Sequence, residues 1–458
     1  MSKRGNANDL GREKIGKLLI QYSGPAIIAT AAASLYNIID RIFIGQGVGP
    51  LAISGLALTF PLMNITAAFG SMVGIGASAM VSIRLGQHDR EGATRILGNA
   101  VMLNIILGLA VGLSALAFLE PVLFILGASK DTLPYAKEFM QIILLGNIFT
   151  HLYLGLNNIM RASGYPGKAM TITLITVAVN LVLAPLFIFV FKWGIRGAAF
   201  ATVLAQITGT VIGTLHFSKI DSFVHFLPGY MKLKKKIIRD IVSIGMSNFL
   251  MLLCASLVTS IMNLRLRKYG GDFAIGAFGI INSIGSLAVM IVIGFTQGMQ
   301  PIAGYNYGAR QTSRVIRAYW LTLIAGTGVT SFGFLIAEFF PELISSAFTT
   351  SSELISLATT GLKLNLLLFP VVGFQVVTSN FFTSIGKAKI SIFLSMTRQV
   401  IFLIPSLLIL PHFLGLNGIW LSGPAADLSS SLLTLLVLLN QIKRLKASQK
   451  TAQTGSHT

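Results

Sequence analysis

Four ionisable side chains lie inside long apolar stretches of the sequence: Asp40, Lys363, Arg398 and Asp427. Placing a charge at the centre of a lipid bilayer costs about 3 kcal/mol on insertion scales, so residues of this kind are functional candidates. Asp40 could take up and release a proton or bind a cation; the alternative is a structural, hydrogen-bonded carboxylate. Asn37 lies one turn earlier, and we expect both side chains to reach one cavity.

Arg398 and Asp427 carry opposite charges about ten residues into the last two apolar stretches. At ~1.5 Å per residue, both lie near the middle of a membrane. We therefore expect an ion pair, which either fixes helix packing or rearranges between conformations. Lys363 lies near the end of its stretch, where we expect its amine to reach the interface.

The composition requires a membrane around these residues. Hydrophobic residues make up 53% of the chain and charged residues 11%, against about a quarter charged in soluble domains. Long apolar runs without short alternating strands indicate membrane helices and exclude a barrel. The net charge of +20 is divided among short clusters between these runs, which argues against nucleic acid. Cys254 is the single cysteine, so no internal disulfide is possible.

The predicted fold is therefore an all-α integral membrane protein of twelve transmembrane helices. Most basic residues fall in loops on one side and in the two termini, which predicts cytoplasmic termini in a bacterial inner membrane. The first apolar stretch lacks a small-residue cleavage site and is predicted to be a retained helix. The predicted spans are 17–45, 52–80, 96–119, 138–160, 170–191, 196–217, 240–264, 273–300, 317–340, 354–382, 388–410 and 416–441.

The chain is duplicated. A shift of 222 positions places Gly49, Gly76 and Gly86 on Gly271, Gly298 and Gly308. Six spans per repeat give two lobes in the same orientation, related by a pseudo-two-fold axis along the membrane normal; a scaffold without transport is the alternative. The predicted segments are a cytoplasmic N-terminus (1–16), an N-lobe (17–217), a basic linker (218–239), a C-lobe (240–442) and a polar tail (443–458).

Four stretches resemble the MATE family of multidrug exporters, closest to the branch that contains MepA and DinF. They match in order over nearly the whole chain. The resemblance implies two six-helix lobes, alternating access, and export driven by inward flow of protons or sodium. The stretches are Asn37-Ile-Ile-Asp40-Arg-Ile-Phe-Ile-Gly45, Asn180-Leu-Val-Leu-Ala-Pro185, Gln297-Gly-Met-Gln-Pro301-Ile-Ala-Gly-Tyr-Asn306-Tyr-Gly-Ala309, and Gly415-Leu-Asn-Gly-Ile-Trp420 leading into Pro424-Ala-Ala-Asp427.

By this resemblance, Asp40 binds the coupling ion, and Asn180 and Thr202 line the same site, to which Asn37 adds a neutral oxygen. Ala184 departs from the pattern, because many relatives carry an aspartate before the proline. Sodium needs several oxygen ligands, whereas a proton needs one carboxylate. The sequence therefore favours protons, with sodium as the alternative, and predicts no cofactor beyond the ion gradient and no other metal.

We expect lipophilic, often cationic drug-like substrates, membrane lipids as the surroundings and a monomeric protein. A lipid-linked-sugar flippase is the alternative; such proteins often carry several cavity-lining basic residues, whereas only Arg398 is well placed here. An enzyme is disfavoured because nucleophile, metal and acid–base clusters are lacking in the sequence, and duplication with a buried carboxylate favours a carrier over a channel. Further candidates for the cavity or gate are Gln297, Gln300, Met63 and Met290, beside Arg398 and Asp427; His151 is expected to be structural.

Overall fold

The computed structural model describes residues 9–219, 222–348 and 351–454. Over these residues the chain is helical and contains no β-strand. In a membrane, every backbone N–H and C=O must be bonded within the protein, and an α-helix achieves this within one segment. The described part of the chain contains nine helices long and apolar enough to cross a membrane, and two bent helix pairs that each meet the same test.

The first half contains six spans. Five are continuous helices, and the fourth is a pair bent by 55° around Gly146. The fifth ends in a π-helical turn, Leu186–Val190, directly after Pro185, whose ring clashes with the carbonyl four residues earlier in a regular helix. The spans are α1 (Ile15–Gly47), α2 (Pro50–Gly86), α3 (Arg90–Ala117), α4 (Leu133–Leu145 with Asn147–Ala162), α5 (Pro166–Val190) and α6 (Gly194–Phe217).

The second half also contains six spans, because its two longest helices are interrupted. The helix of 57 residues from Ala388 to Arg444 would measure roughly 85 Å if straight, nearly three bilayer cores. Gly415, with φ 55° and ψ −134°, divides it, and Gly271 divides Lys235–Gly308 in the same way. The spans are α7 (Lys235–Gly271), α8 (Phe273–Gly308), α9 (Thr312–Phe339), α10 (Ser352–Asn365 with Phe369–Ser384), α11 (388–414) and α12 (416–444).

The backbone repeats the 222-residue offset found in the sequence. Left-handed residues recur in pairs at Gly49 and Gly271, at His88 and Arg310, and at Gly164 and Gly386. A short helix follows the third span of each half, at Leu119–Ile125 and at Pro341–Phe348. The predicted duplication thus extends to the turns between helices.

The chain forms two compact units that differ slightly from its two sequence halves. Unit 1 contains Ile28–Phe249, and unit 2 contains Glu13–Ile27 together with the chain from Leu250 onward. The first part of α1 therefore packs within unit 2, whereas the first part of α7 packs within unit 1. The predicted linker, 218–239, ends within α7, because that helix already begins at Lys235.

Each unit has its own apolar core. In unit 1, Phe139 and Leu123 are fully buried among residues of α2, α4, α5 and α6. In unit 2, Trp420 on α12 is fully buried beside Leu362 on α10 and residues of α7 and α8. Since lipid is as apolar as these side chains, close packing stabilises such contacts more than removal from water does.

Candidate functional site

Asp40 lies on the part of α1 that belongs to unit 1. Only 7% of the residue is exposed, and its Oδ1 atom has no hydrogen-bond partner among the described residues. The neighbouring Arg41 is exposed and lies over the ring of Phe60, 5.4 Å from its centroid. Asp40 is therefore a buried carboxylate with one oxygen available to a proton or a cation.

A triangle of polar side chains lies beside Asp40. Nδ2 of Asn180 on α5 donates to Oγ1 of Thr202 on α6 at 3.2 Å and to the hydroxyl of Tyr36 at 3.4 Å. The Tyr36 hydroxyl is 3.2 Å from the same Thr202 oxygen. Because Thr202 donates its own proton to the carbonyl of Ala198, Tyr36 is the donor in that pair. Every hydroxyl and amide proton of the triangle is thereby used.

The side-chain oxygen of Asn180, Oδ1, takes no part in the hydrogen bonds of the triangle. Asn180 is 2% exposed, and its Oδ1 atom, like Oδ1 of Asp40, has no partner within the described part of the chain. A buried acceptor without a donor costs about 1–3 kcal/mol, so such atoms mark a place where a ligand can bind. Tyr36 precedes Asp40 by four residues, which places both side chains on one face of α1. The site thus offers one carboxylate and neutral oxygens.

Tyr36 is not among the site residues predicted from the sequence, although its spacing of four residues from Asp40 places it on the same face of the helix. Ala184 follows Asn180 by one helical turn and is fully buried in the apolar core of unit 1. The position at which the resemblance leads us to expect a second carboxylate therefore contributes a methyl group. The described residues contain no group of three His, Cys, Asp or Glu side chains that could hold a metal ion. The side chain of Asn37, the remaining predicted member, lies outside the described part of the structure.

Unit 2 contains the charged pair that the sequence predicts. Nε of Arg398 donates to Oδ1 of Asp427 at 2.6 Å. The Gln375 amide on α10 donates to the Asp427 backbone carbonyl at 2.8 Å and contacts the hydroxyls of Ser430 and Ser431. These bonds tie α10, α11 and α12 together. Arg398 lies in a π-helical segment, Thr397–Leu403, a distortion frequent at functional sites.

The remaining predicted residues are outside these two clusters. Met63 on α2 lies against the core of unit 1 and accepts a weak bond from Thr59. Gln297 and Gln300 are half-buried on α8, as is Met290, in unit 2. His151 is fully buried with Nε2 2.9 Å from the carbonyl of Thr66, a structural contact. Lys363 is exposed.

The two halves of the chain match one protein family. The family model described as MatE matches residues 25–186 and again 248–408, so it matches each half of the chain once. The chain belongs to the MatE family. Membership makes it a multi-pass membrane transporter rather than an enzyme, and agrees with the predicted twelve-helix, two-lobed fold.

Individual MATE proteins resemble the chain over nearly its full length. The multidrug export protein MepA of Staphylococcus aureus is 27% identical over 430 residues, covering 93% of this chain and 94% of that protein. MepA of Staphylococcus haemolyticus is 25% identical over 433 residues, covering 94% and 95%.

Solved MATE structures share the fold. A crystal structure of MATE in the bent conformation superposes with a TM-score of 0.92 at 23% identity, covering 98% of this chain and 100% of that one. An outward-facing structure of a multidrug resistance MATE transporter has a TM-score of 0.90 at 24% identity, covering 97% and 100%. At these identities the likeness establishes the fold alone.

Proposed function

We propose that this chain exports lipophilic, often cationic small molecules by alternating access, using an inward flow of protons. The observation that carries the proposal is the Asp40 carboxylate, buried in unit 1 with an unpartnered oxygen one helical turn from the Tyr36–Asn180–Thr202 triangle. The relatives named as multidrug export proteins support the substrate class.

The donor set favours a proton over sodium. A sodium ion replaces its water with several oxygen ligands, and hard cations in proteins are usually held by carboxylates and carbonyls together. Here Ala184 supplies no oxygen, and the oxygens of Thr202 and Tyr36 already accept hydrogen bonds within the triangle. A proton requires one carboxylate oxygen, and Asp40 provides it.

Sodium is the second candidate, because one observation favours it. Two buried oxygens, Oδ1 of Asp40 and Oδ1 of Asn180, have no donor among the residues that the structure describes. A cation would satisfy both at once, whereas a proton on Asp40 would satisfy one. The choice between the ions therefore depends on whether Asn180 has to be paired during the cycle.

We also propose that the protein resides in a bacterial cytoplasmic membrane with both termini inside. The basic residues support this orientation, since Lys232, Lys234, Lys235, Lys236 and Arg239 are all exposed at the start of α7.

Drug susceptibility tests the export function directly. Expression in a bacterium stripped of its own efflux pumps should raise the inhibitory concentration of ethidium, and Asp40→Asn should abolish the increase at equal membrane abundance. Asp131→Asn, in an exposed loop, is the matched control and should retain it. Equal resistance from Asp40→Asn and from the unmodified protein would contradict the proposal.

A further inference from the structure

The guanidinium of Arg398 is only partly used by its partner. Its Nε atom is bound to Asp427, and no other hydrogen bond of this side chain exists among the described residues. The side chain of Asp427 is 6% exposed, whereas that of Arg398 is 29% exposed. The two Nη groups at the end of the guanidinium therefore make no hydrogen bond within the described residues.

The position of Arg398 in the membrane restricts what these free groups can face. The residue is ten positions beyond the start of α11 at Ala388, or ~15 Å along the helix axis, about half of a 30 Å hydrocarbon core. Charged groups at this depth face the protein interior or a water-filled cavity, because exposure to lipid is too costly. The free edge of Arg398 is therefore turned toward a wet or ligand-binding space.

The neighbouring contacts hold the guanidinium in a fixed orientation. Gln375 binds the backbone of Asp427 and the hydroxyls that follow it on α12, so the turn of α12 that carries the carboxylate bound to Arg398 is tied to α10. A planar guanidinium with its Nε edge occupied presents the two Nη groups together, a geometry that binds a carboxylate or phosphate through two parallel bonds.

At the position in the first half that corresponds to Asp427, the chain carries no charged residue. Counting back 221 residues, the offset that relates Gly194 to Gly415, places Gln206 at the position of Asp427. Gln206 accepts a bond from Thr150, and both are neutral. The Arg398–Asp427 ion pair is thus specific to unit 2, and the helix packing that the two units share does not require it.

We propose that Arg398 binds an anionic oxygen group, a carboxylate or a phosphate, carried by a transported amphiphile. This inference rests on the export function proposed above and names the side chain that contacts the anionic end of such a substrate. Asp427 already balances the charge of Arg398, so the anionic group is recognised through the directed Nη–H groups of Arg398. Its binding is therefore of moderate strength, which allows release after transport.

A matched pair of ligands isolates this contact. Norfloxacin is a zwitterion with a carboxylate, and its methyl ester lacks that negative charge and carries one additional methyl group. Equilibrium binding of each to the purified protein in nanodiscs, measured by fluorescence, should show about tenfold tighter binding of the acid, corresponding to ~1.4 kcal/mol. Binding does not require a gradient, so the result is independent of whether the protein couples transport to an ion.

Variants then assign the preference to Arg398. Arg398→Gln combined with Asp427→Asn removes both charges, leaves no unpaired buried ion, and should bring the acid-to-ester ratio of Kd values near one. Arg398→Lys retains the charge without the two Nη groups and should lose most of the preference. Arg267→Gln, which removes an exposed arginine on α7, should retain it.

The source of the anion is distinguished by a second pair, dihexanoyl phosphatidic acid and dihexanoylglycerol, which has the same acyl chains but lacks the phosphate. An Arg398-dependent preference for the phosphatidic acid alone assigns the site to a lipid phosphate, and a preference for norfloxacin assigns it to a drug carboxylate. Absence of both preferences in the unmodified protein, or their persistence without Arg398, overturns the inference. If the unmodified protein shows one of these binding preferences but does not export ethidium, the proposed function alone is overturned.

Discussion

A Cβ atom added to Gly245 would lie 1.9 Å from the backbone carbonyl oxygen of Met72. A Cβ atom on Gly76 would lie 2.0 Å from the carbonyl of Ile241, so α2 and α7 approach each other through two glycines within unit 1. The same crossing recurs 222 residues later within unit 2, where the positions of a Cβ on Gly298 and on Gly294 are occupied by Ser23 and Ile27 of α1. Each sequence half thus contributes the beginning of its first helix to the other unit.

Gly245→Ala should destabilise the protein, because the added methyl group meets a carbonyl oxygen that no change of rotamer can move. Overpacking of this kind costs about 1–3 kcal/mol, more than the helix propensity that alanine gains. The thermal unfolding midpoint of the purified protein in detergent measures the effect. Gly279→Ala is the control, since no atom lies within 4 Å of its Cβ position. Equal midpoints for the two variants would show that the crossing is not a close contact.

Removal of one member of the Arg398–Asp427 pair should cost about 3–5 kcal/mol, because the other charge stays buried without a partner. Arg398→Met should therefore lower the unfolding midpoint strongly, and adding Asp427→Leu should recover most of the loss. The exposed pair of Arg196 and Glu138, with side chains 60% and 37% exposed, is the control. Arg196→Met should cost under about 1 kcal/mol. Additive effects of the two core substitutions would refute the coupling.

The linker before α7 is held to α3 by Asn99. Its amide lies within 3.4 Å of the carbonyls of Tyr230 and Lys232, and its Oδ1 atom accepts the Lys234 backbone N–H at 2.7 Å. Asn99→Ala leaves these groups unpaired at a cost of about 1–3 kcal/mol. Limited trypsin digestion should then cleave at the linker lysines several times faster. Gln87→Ala, an exposed change on the same side of unit 1, should leave the rate unchanged; equal rates for both variants would refute the clamp.

Tyr36→Phe should slow gradient-driven efflux roughly tenfold, because it removes the hydroxyl that bonds both Asn180 and Thr202 beside Asp40. The initial rate of ethidium efflux from proteoliposomes under a fixed gradient measures this effect. Tyr135→Phe, in the same unit, removes a hydroxyl that makes no hydrogen bond among the described residues and should retain the full rate. Matching rates in both variants would exclude Tyr36 from the site.

The sequence predicted the features that depend on one strong physical cost. Apolar runs determine the helices because unbonded backbone groups are not tolerated in lipid. Asp40, Arg398 and Asp427 were detectable because charges at that depth are rare. Tyr36 carried no such signal, since it is uncharged and only its spacing of four residues from Asp40 distinguishes it.

The features that the sequence did not predict depend on which helices are neighbours. Hydropathy carries no information on the packing of residues 13–27 within unit 2, nor on the bend of α4 at Gly146. One signal was available: Gly294 and Gly298 form the Gly-xxx-Gly spacing that allows membrane helices to approach closely. Their partners on α1 could be identified only from the structure.

The most direct test of the account is ethidium efflux from proteoliposomes containing the purified protein, driven in separate experiments by a proton gradient and by a sodium gradient. We predict efflux with the proton gradient alone, and its loss in Asp40→Asn but not in Asp131→Asn. Efflux driven by sodium alone, or proton-driven efflux that survives in Asp40→Asn, would contradict it.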